Sequence, residues 1–305
     1  MVEMVILMKK ILQFLLLSFL LLSLVYGTKV IEASRQSLTI WFEQLVPSMF
    51  VSMVLIRVLY KQDMLTHLFP SLFCRWFAMD SHAMTLVLSS MLLGFPNGSI
   101  FIEEAYQKGN IDLTGARRLF PICCFPTPGF VILSCGAGLF HSITIGLLFY
   151  LSQILYGFLC LWLTRRTPIS FHSSSQHATS SLMKDLAISM MESGTSLFMI
   201  GGYLMLFMSM TSVLFSFLPA FLRIPLSICT EFSNGIYIIQ EMAWPLVPSL
   251  MASCALLGFG GFCVHMQIYS LCDQSKTSYL RFFLYRIFQS ILTTVIFCLF
   301  YHFLV

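Results

Sequence analysis

Two short stretches place amides and carboxylates inside apolar parts of the chain. They are GFPNGSIFIEEA (94–105) and EFSNGIYIIQEM (231–242), and each has an Asn-Gly pair with a glutamate seven residues after the asparagine. Seven residues return to nearly the same face of an α-helix, so each amide shares a face with a carboxylate. Glycine and proline at these points predict broken helices whose half-helix N-termini bind an anionic solute.

The two stretches supply most of the candidate site. Asparagine is a favoured N-cap and glycine lets the backbone bend, so both Asn-Gly pairs are predicted to end half-helices next to a substrate. The glutamates are predicted to couple transport or to line its path. The substrate-binding candidates are Asn97, Gly98, Asn234 and Gly235, and the path-lining candidates are Glu104, Glu231 and Glu241.

Two further stretches have residues that are typical of the tips of re-entrant helices. GFGGFCVHMQ (258–267) has three glycines before His265 and Gln267, and an ionisable group inside an apolar segment is a functional candidate. His265 would donate to a carboxylate or relay a proton. In the first half of the chain, FPTPGF (125–130) is the matching tip, with Thr127 as its polar group.

Each candidate also has a structural interpretation that the sequence leaves open. Asn-Gly is a common turn, and the asparagines could serve purely as helix caps. The glutamates could lie at the membrane surface, since Glu104 precedes a loop-like KGN (108–110). The His265 imidazole could simply bond a backbone carbonyl.

The composition predicts an all-α, polytopic membrane protein. The 305 residues are 58% hydrophobic and 10% charged, with a mean hydropathy of +0.86. A soluble domain carries about 25% charged residues. The net charge of +4 indicates membrane orientation rather than nucleic-acid binding.

Enzymatic and metal-binding classes have no support in the sequence. None of the ten cysteines forms a CxxC pair, which leaves zinc, haem and disulfide roles without the necessary spacing. Nucleotide-binding, hydrolase and metalloprotease motifs are also missing from the chain. We therefore expect neither enzymatic activity nor a cofactor.

Apolar segments and one polar stretch divide the chain. The segments are 11–28, 38–60, 83–106, 115–140, 143–164, 186–218, 224–243, 245–272 and 279–304. The polar, Ser-rich composition of residues 165–185 predicts a linker. This predicts an N-terminal transmembrane helix and loop (1–37), a first membrane repeat (38–164), the linker and a second repeat (186–305). An uncleaved first helix is preferred to a signal peptide, since no clear cleavage site follows it.

The two halves align in three places. Residues 94–105 match 231–242 without a gap, 126–132 match 258–264, and 42–50 match 191–199 more weakly. Three matches in the same order predict an internal repeat. If the basic residues near 9–10, 61–75, 165–184 and 276–281 all lie on the cytoplasmic side, each half crosses the membrane three times net. The repeats would then be inverted, with broken and re-entrant helices; parallel repeats of four full spans are the alternative.

The same motifs resemble those of a known family. GFPNGSIFIEEAYQKGNIDLTGARRL (94–119), EFSNGIYII (231–239) and GFGGFCVHMQ (258–267) resemble segments of sporulation integral membrane proteins of the YlbJ type, and the resemblance covers about residues 38–303. CCFPTPGF (123–130) departs from the polar run that this family often has there. The family is similar to the nucleoside-recognition, or gate, domains of nucleoside and ferrous-iron transporters.

The resemblance implies passage of dipicolinate, a planar dianion, across the outer forespore membrane of a sporulating bacterium. The expectation is therefore a transporter or channel for a small organic anion in a lipid bilayer, with oligomer formation left open. Ionised glutamates would repel such a ligand, so glutamates on its path are expected to be protonated couplers or cation ligands. One alternative is a transporter of nucleosides or other small polar solutes. Another is a non-transporting membrane scaffold for assembly of the spore cortex or envelope.

Overall fold

The computed structural model describes residues 2–66, 68, 70–172 and 181–304, with the side chains of all of these except residues 2–9, 11, 12 and 15. The central part of the predicted linker (173–180) and the Lys9 side chain therefore lie outside the described residues. Within the described part, regular structure is helical, and one isolated bridge joins Met79 to Ile169.

Fourteen α-helices and two π-helical segments make up the described fold. In chain order the α-helices are α1 (Val2–Val25), α2 (Gly27–Thr39), α3 (Val46–Lys61), α4 (Ser71–Trp76), α5 (Ser81–Leu93), α6 (Asn97–Gln107), α7 (Leu113–Ile122), α8 (Ile143–Leu163), α9 (Leu182–Leu214), α10 (Ala220–Thr230), α11 (Phe232–Glu241), α12 (Leu246–Phe259), α13 (Gly261–Leu271) and α14 (Tyr279–Leu304). The π-helical segments are Ile40–Leu45, between α2 and α3, and Phe130–Leu139, which precedes α8.

Five helical stretches in the described part, one of them interrupted at Gly260, are long and apolar enough to cross a membrane, judged by length and composition. They are Gly27–Lys61, Ile143–Leu163, Leu182–Leu214, Leu246–Leu271 and Tyr279–Leu304. A spanning helix needs about 20 predominantly apolar residues, which each of them supplies. The predictions of an all-α fold and of an integral membrane protein are confirmed.

The long helices differ from the predicted segments at more than one boundary. Helix α9 begins at Leu182, inside the predicted linker 165–185, and ends at Leu214, four residues before the predicted segment 186–218 does. The helical stretch Gly27–Lys61 is unbroken, so it runs through residues 37 and 38, where the first repeat was predicted to begin. A π-helical segment inside it keeps the backbone hydrogen-bonded while adding a residue to the turn.

Four of the predicted apolar segments are each divided into two shorter helical elements. Segment 83–106 falls in α5 and α6, and segment 224–243 falls in α10 and α11. The other two, 115–140 and 245–272, are likewise divided, at residues 123–129 and at Gly260. Breaks of this kind free backbone groups that lipid cannot satisfy, so they persist only where protein or a wet cavity surrounds them.

The helices around the breaks pack closely through small residues. A Cβ atom on Gly136 would lie 2.5 Å from the Cα of Gly146, so α8 and the segment Phe130–Leu139 touch backbone to backbone. Helix pairs in membranes associate through such van der Waals packing, because lipid is as apolar as the side chains.

Candidate functional site at the meeting of four helix breaks

Three of the four breaks follow from glycine or proline in the local sequence. Gly94 ends α5 with a φ of +68°, and Gly260 ends α12 with a φ of +83°, both left-handed conformations that glycine tolerates. Proline at positions 126 and 128 interrupts the chain between α7 and Phe130. At the fourth break, Glu231 adopts an extended backbone between α10 and α11.

The four breaks lie against one another. The Phe232 ring packs edge-on against Phe95, with centroids 5.0 Å apart, and against Phe130, with centroids 5.2 Å apart. The backbone N–H of Phe95 donates to the carbonyl oxygen of Phe125 at 2.5 Å. A Cβ atom on Gly261 would lie 3.0 Å from the Phe232 nitrogen, which brings the break at Gly260 against the break at Glu231.

A space of about 20 Å³, the inner cavity, lies at this junction. Side chains from all four break regions line it, together with residues of α3, α9 and the segment Ile40–Leu45. Its polar lining residues are Thr127, Glu231 and Gln267. A space of this size holds about one water molecule.

A larger space of about 200 Å³, the outer cavity, adjoins the inner one. Glu231 lines both cavities. The outer cavity also holds the amide pair Gln36 and Asn234, in which Nε2 of Gln36 donates to Oδ1 of Asn234 at 3.2 Å. Because Gln36 is exposed, the outer cavity opens at the protein surface.

Glu231 is the N-cap of α11. Its carboxylate accepts the backbone N–H of Asn234 at 2.6 Å and that of Ser233 at 3.1 Å, together with the Ser233 hydroxyl at 2.7 Å. The side chain is 4% exposed. A carboxylate at a helix N-terminus is stabilised by the free N–H groups and the helix dipole. This arrangement fixes the one acidic side chain that the described residues contribute to the two cavities.

The prediction that the asparagines serve as N-caps is wrong. Pro96 holds the N-cap position of α6 without a side-chain bond, and Asn97 is already the first helical residue. In α11 Glu231 is the cap, because its longer carboxylate reaches two N–H groups at once. Asn97 is fully buried, donates to the Met53 sulfur at 3.8 Å, and lines neither cavity; its Oδ1 has no partner among the described residues.

Gly98 and Gly235 face neighbouring backbone. A Cβ atom on Gly98 would lie 2.4 Å from the Ser90 carbonyl oxygen and 2.5 Å from that of Cys123. One on Gly235 would lie 2.6 Å from the Ile228 carbonyl oxygen. Both glycines therefore allow close packing of two helical elements, and neither lines a cavity.

The polar residues of the two predicted helix tips do not all face a cavity in the structure. Thr127 and Gln267 line the inner cavity. His265 is fully buried and lines neither cavity; one ring nitrogen lies 3.1 Å from the Phe259 carbonyl oxygen and the other 3.4 Å from the Tyr279 hydroxyl. This geometry matches the alternative interpretation, in which the imidazole bonds a backbone carbonyl.

The two remaining glutamates lie outside the cavities. Glu104 is partly exposed and pairs with Lys108 at 3.6 Å, near the C-terminal end of α6. Glu241 is exposed and is the last residue of α11. Neither carboxylate lines the inner or the outer cavity.

Arg286 was not among the sequence candidates, although it is fully buried beside two breaks. Its Nε donates to the Phe259 carbonyl oxygen at 2.9 Å, and one terminal nitrogen donates to the Cys124 carbonyl oxygen and to Oε1 of Gln289, the latter at 2.8 Å. The guanidinium lies 5.7 Å from the Phe95 ring centroid. An arginine inside the apolar segment 279–304 was the signal that could have revealed it.

The fold and cavities define a polytopic helical membrane protein in which broken helices surround a small cavity lined by apolar side chains and three polar ones. The chain is similar to the Sporulation integral membrane protein YlbJ of Bacillus subtilis (strain 168), with 25% identity over 308 residues, covering 87% of this chain and 76% of that protein. This similarity confirms the resemblance to the YlbJ type. No family model matches the chain, and no solved structure does.

Proposed function

We propose that this protein is a secondary transporter that moves a small organic anion, with dipicolinate as the leading candidate, across the outer forespore membrane during sporulation. The observation that carries the proposal is the meeting of four helix breaks around the inner cavity, which Thr127, Glu231 and Gln267 line. Broken helices that meet near the midplane hold the substrate in many secondary transporters.

The order of elements in the two halves supports inverted repeats. Apart from α4, which has no counterpart in the second half, each half has a long helix, two short helices packed against each other, a further pair of short helical elements separated by a break, and a final long helix. The packed pairs, α5 with α6 and α10 with α11, have the contacts expected of re-entrant hairpins. Each half would then have three net crossings, which inverts the second repeat.

Contacts among the loops support the predicted orientation. The His82 ring lies 3.8 Å from the Asp63 carboxylate and stacks on Phe171 in the linker. Farther along, the Glu103 carboxylate accepts the backbone N–H of Ser275 at 2.8 Å. These contacts and the bond from Arg118 to the Thr167 carbonyl oxygen bring the regions around Lys61, Arg165 and Lys276 to one end of the bundle. Basic residues gathered at one end fit the positive-inside rule.

The charge of the cavities determines how an anion would cross. Among the described residues, no lysine, arginine or histidine lines either cavity, and Glu231 lines both. An ionised Glu231 would repel a dianion, whereas a protonated one would donate a hydrogen bond to it. The proposal therefore includes proton coupling at Glu231, with opening of the inner cavity to admit a solute larger than water.

Proteoliposomes that contain the purified protein test this function. We expect dipicolinate flux that rises with an imposed proton gradient, and we expect Glu231→Gln to transport without that dependence, because its side chain carries no titratable proton. Glu241→Gln is the matched control, since it removes an exposed carboxylate from the same helix. Absence of dipicolinate flux from well-folded wild-type protein would overturn the anion proposal.

A neutral polar solute, such as a nucleoside, is the second candidate. The same absence of basic side chains from the described cavity lining favours it, because a neutral solute needs no compensating cation. Nucleoside flux without dipicolinate flux in the same vesicles would select this candidate.

A further inference from the structure

A third pocket, separate from the two cavities, gathers three arginines. It has a volume of about 370 Å³, and its polar lining includes Arg117, Arg118 and Arg281, together with Thr114, Thr164 and Tyr285. These residues come from α7, from the end of α8 and the residues after it, and from the first turns of α14. We refer to it as the arginine pocket.

The arginine pocket is strongly cationic. Arg118 is fixed by the Thr164 hydroxyl at 2.9 Å and by the carbonyl oxygens of Thr167 at 2.6 Å and Leu161 at 2.7 Å. Arg117 and Arg281 have no hydrogen-bond or ion-pair partner among the described residues. No aspartate or glutamate of the described chain lines the pocket. Three guanidinium groups without a carboxylate favour an anionic ligand.

The pocket lies where two candidate membrane spans end. Thr164 directly follows α8, and Arg281 is in the first turn of α14. On the same helix ends, the apolar side chains of Leu163 and Leu284 are exposed. The Arg165 guanidinium lies over the Trp162 ring, 4.7 Å from the ring centroid. Tryptophan and arginine at a helix end are typical of the membrane–water interface.

We propose that the arginine pocket binds the phosphate headgroup of an anionic phospholipid, whose acyl chains lie along the exposed apolar side chains of α8 and α14. Guanidinium groups bind phosphate oxygens through paired, charge-assisted hydrogen bonds. Basic pockets between membrane helices are suited to such headgroups. The proposal is independent of the solute that the cavities transport.

Lipid binding to the purified protein tests this site, with bound lipid counted by mass spectrometry of protein released from micelles. We expect phosphatidylglycerol to bind more tightly than phosphatidylcholine with the same acyl chains. Each arginine is expected to contribute about fivefold, so the double variant Arg117→Gln/Arg281→Gln should bind phosphatidylglycerol about 25-fold more weakly. Both side chains are exposed, so the substitutions leave the packed interior unchanged.

The control is Arg165→Gln/Arg166→Gln, which removes two exposed arginines near the pocket that do not line it. Equal affinity for the two lipids, or an equal loss in the control variant, would overturn the proposal. Inorganic phosphate and dipicolinate are tested as competitors at millimolar concentration. If either displaces phosphatidylglycerol completely and binds by itself with the same dependence on Arg117 and Arg281, the pocket is a site for free anions and the lipid assignment fails.

Discussion

The Nε of Arg286 donates to the carbonyl oxygen of Phe259 at 2.9 Å, at the last residue of α12. The same guanidinium donates to the Cys124 carbonyl oxygen, just beyond the end of α7. Helix C-termini carry free carbonyl groups and a negative dipole end, which a cation stabilises. One buried arginine thus satisfies carbonyl groups at two breaks, one in each half of the chain.

Replacement of Arg286 is expected to destabilise the protein strongly. Arg286→Met removes the charged donor from the carbonyl oxygens of Phe259 and Cys124, which keep only their neutral partners His265 and Gln289. A hydrogen bond to a charged group is worth about 1.5–3 kcal/mol. We expect a loss of about 2–4 kcal/mol, measured as a lower thermal unfolding midpoint in detergent. Arg223→Met is the control, because that exposed side chain bonds only the nearby Leu218 carbonyl oxygen among the described residues. An unchanged midpoint for Arg286→Met would contradict the role in capping both breaks.

Alanine at the two glycines of the Asn-Gly pairs is expected to impair folding. The added Cβ atoms of Gly98→Ala and Gly235→Ala would meet backbone oxygens at 2.4–2.6 Å. Overpacking of this kind costs about 1–3 kcal/mol. Gly202→Ala in α9 is the control, since nothing lies within 4 Å of its Cβ position. Thermal unfolding checks the effect, and the interpretation fails if all three variants unfold at the same temperature.

A negative charge at Asn234 is expected to reduce transport of an anion. Asn234 lines the outer cavity beside Glu231, whereas Asn97 lies buried outside both cavities. Asn234→Asp places a second carboxylate at the cavity, so we expect anion flux to fall about tenfold, equivalent to about 1.4 kcal/mol. Asn234→Ala is the matched comparison, since it shortens the side chain without adding charge, and it should lose less. Flux into proteoliposomes at equal protein content measures both, and equal flux for the two variants would remove the electrostatic argument.

The basic residues at positions 10, 61, 165 and 276 are expected to face one side of the membrane. Single cysteines at positions 10, 61, 165 and 276 should all react with an impermeant maleimide from the same face. Among the cysteines that the structure describes, Cys229 alone is exposed, so Cys229→Ser provides the background for labelling. Labelling of position 165 from the face opposite to position 10 would exclude the inverted-repeat arrangement.

Several features of this protein could be predicted from the sequence, because they depend on local composition. Its apolar content determined an all-α membrane fold, and glycine or proline marked the breaks near residues 94, 126 and 260. These residues act on the backbone where they stand, so their effect needs no knowledge of distant parts of the chain. Thr127, Glu231 and Gln267 were also named from sequence, and they line the inner cavity.

The tertiary structure decided which polar groups face a cavity and which fill the interior. Periodicity placed Asn97 and Glu104 on one helix face, but packing of α6 buries the asparagine against Met53 and leaves the glutamate with Lys108. The arginine pocket joins residues 117, 118 and 281, which no local spacing connects. Arg286 likewise acquires its role from carbonyl groups at residues 124 and 259. Local sequence sets the direction of a side chain relative to its own helix, whereas the groups it meets depend on how distant helices pack around it.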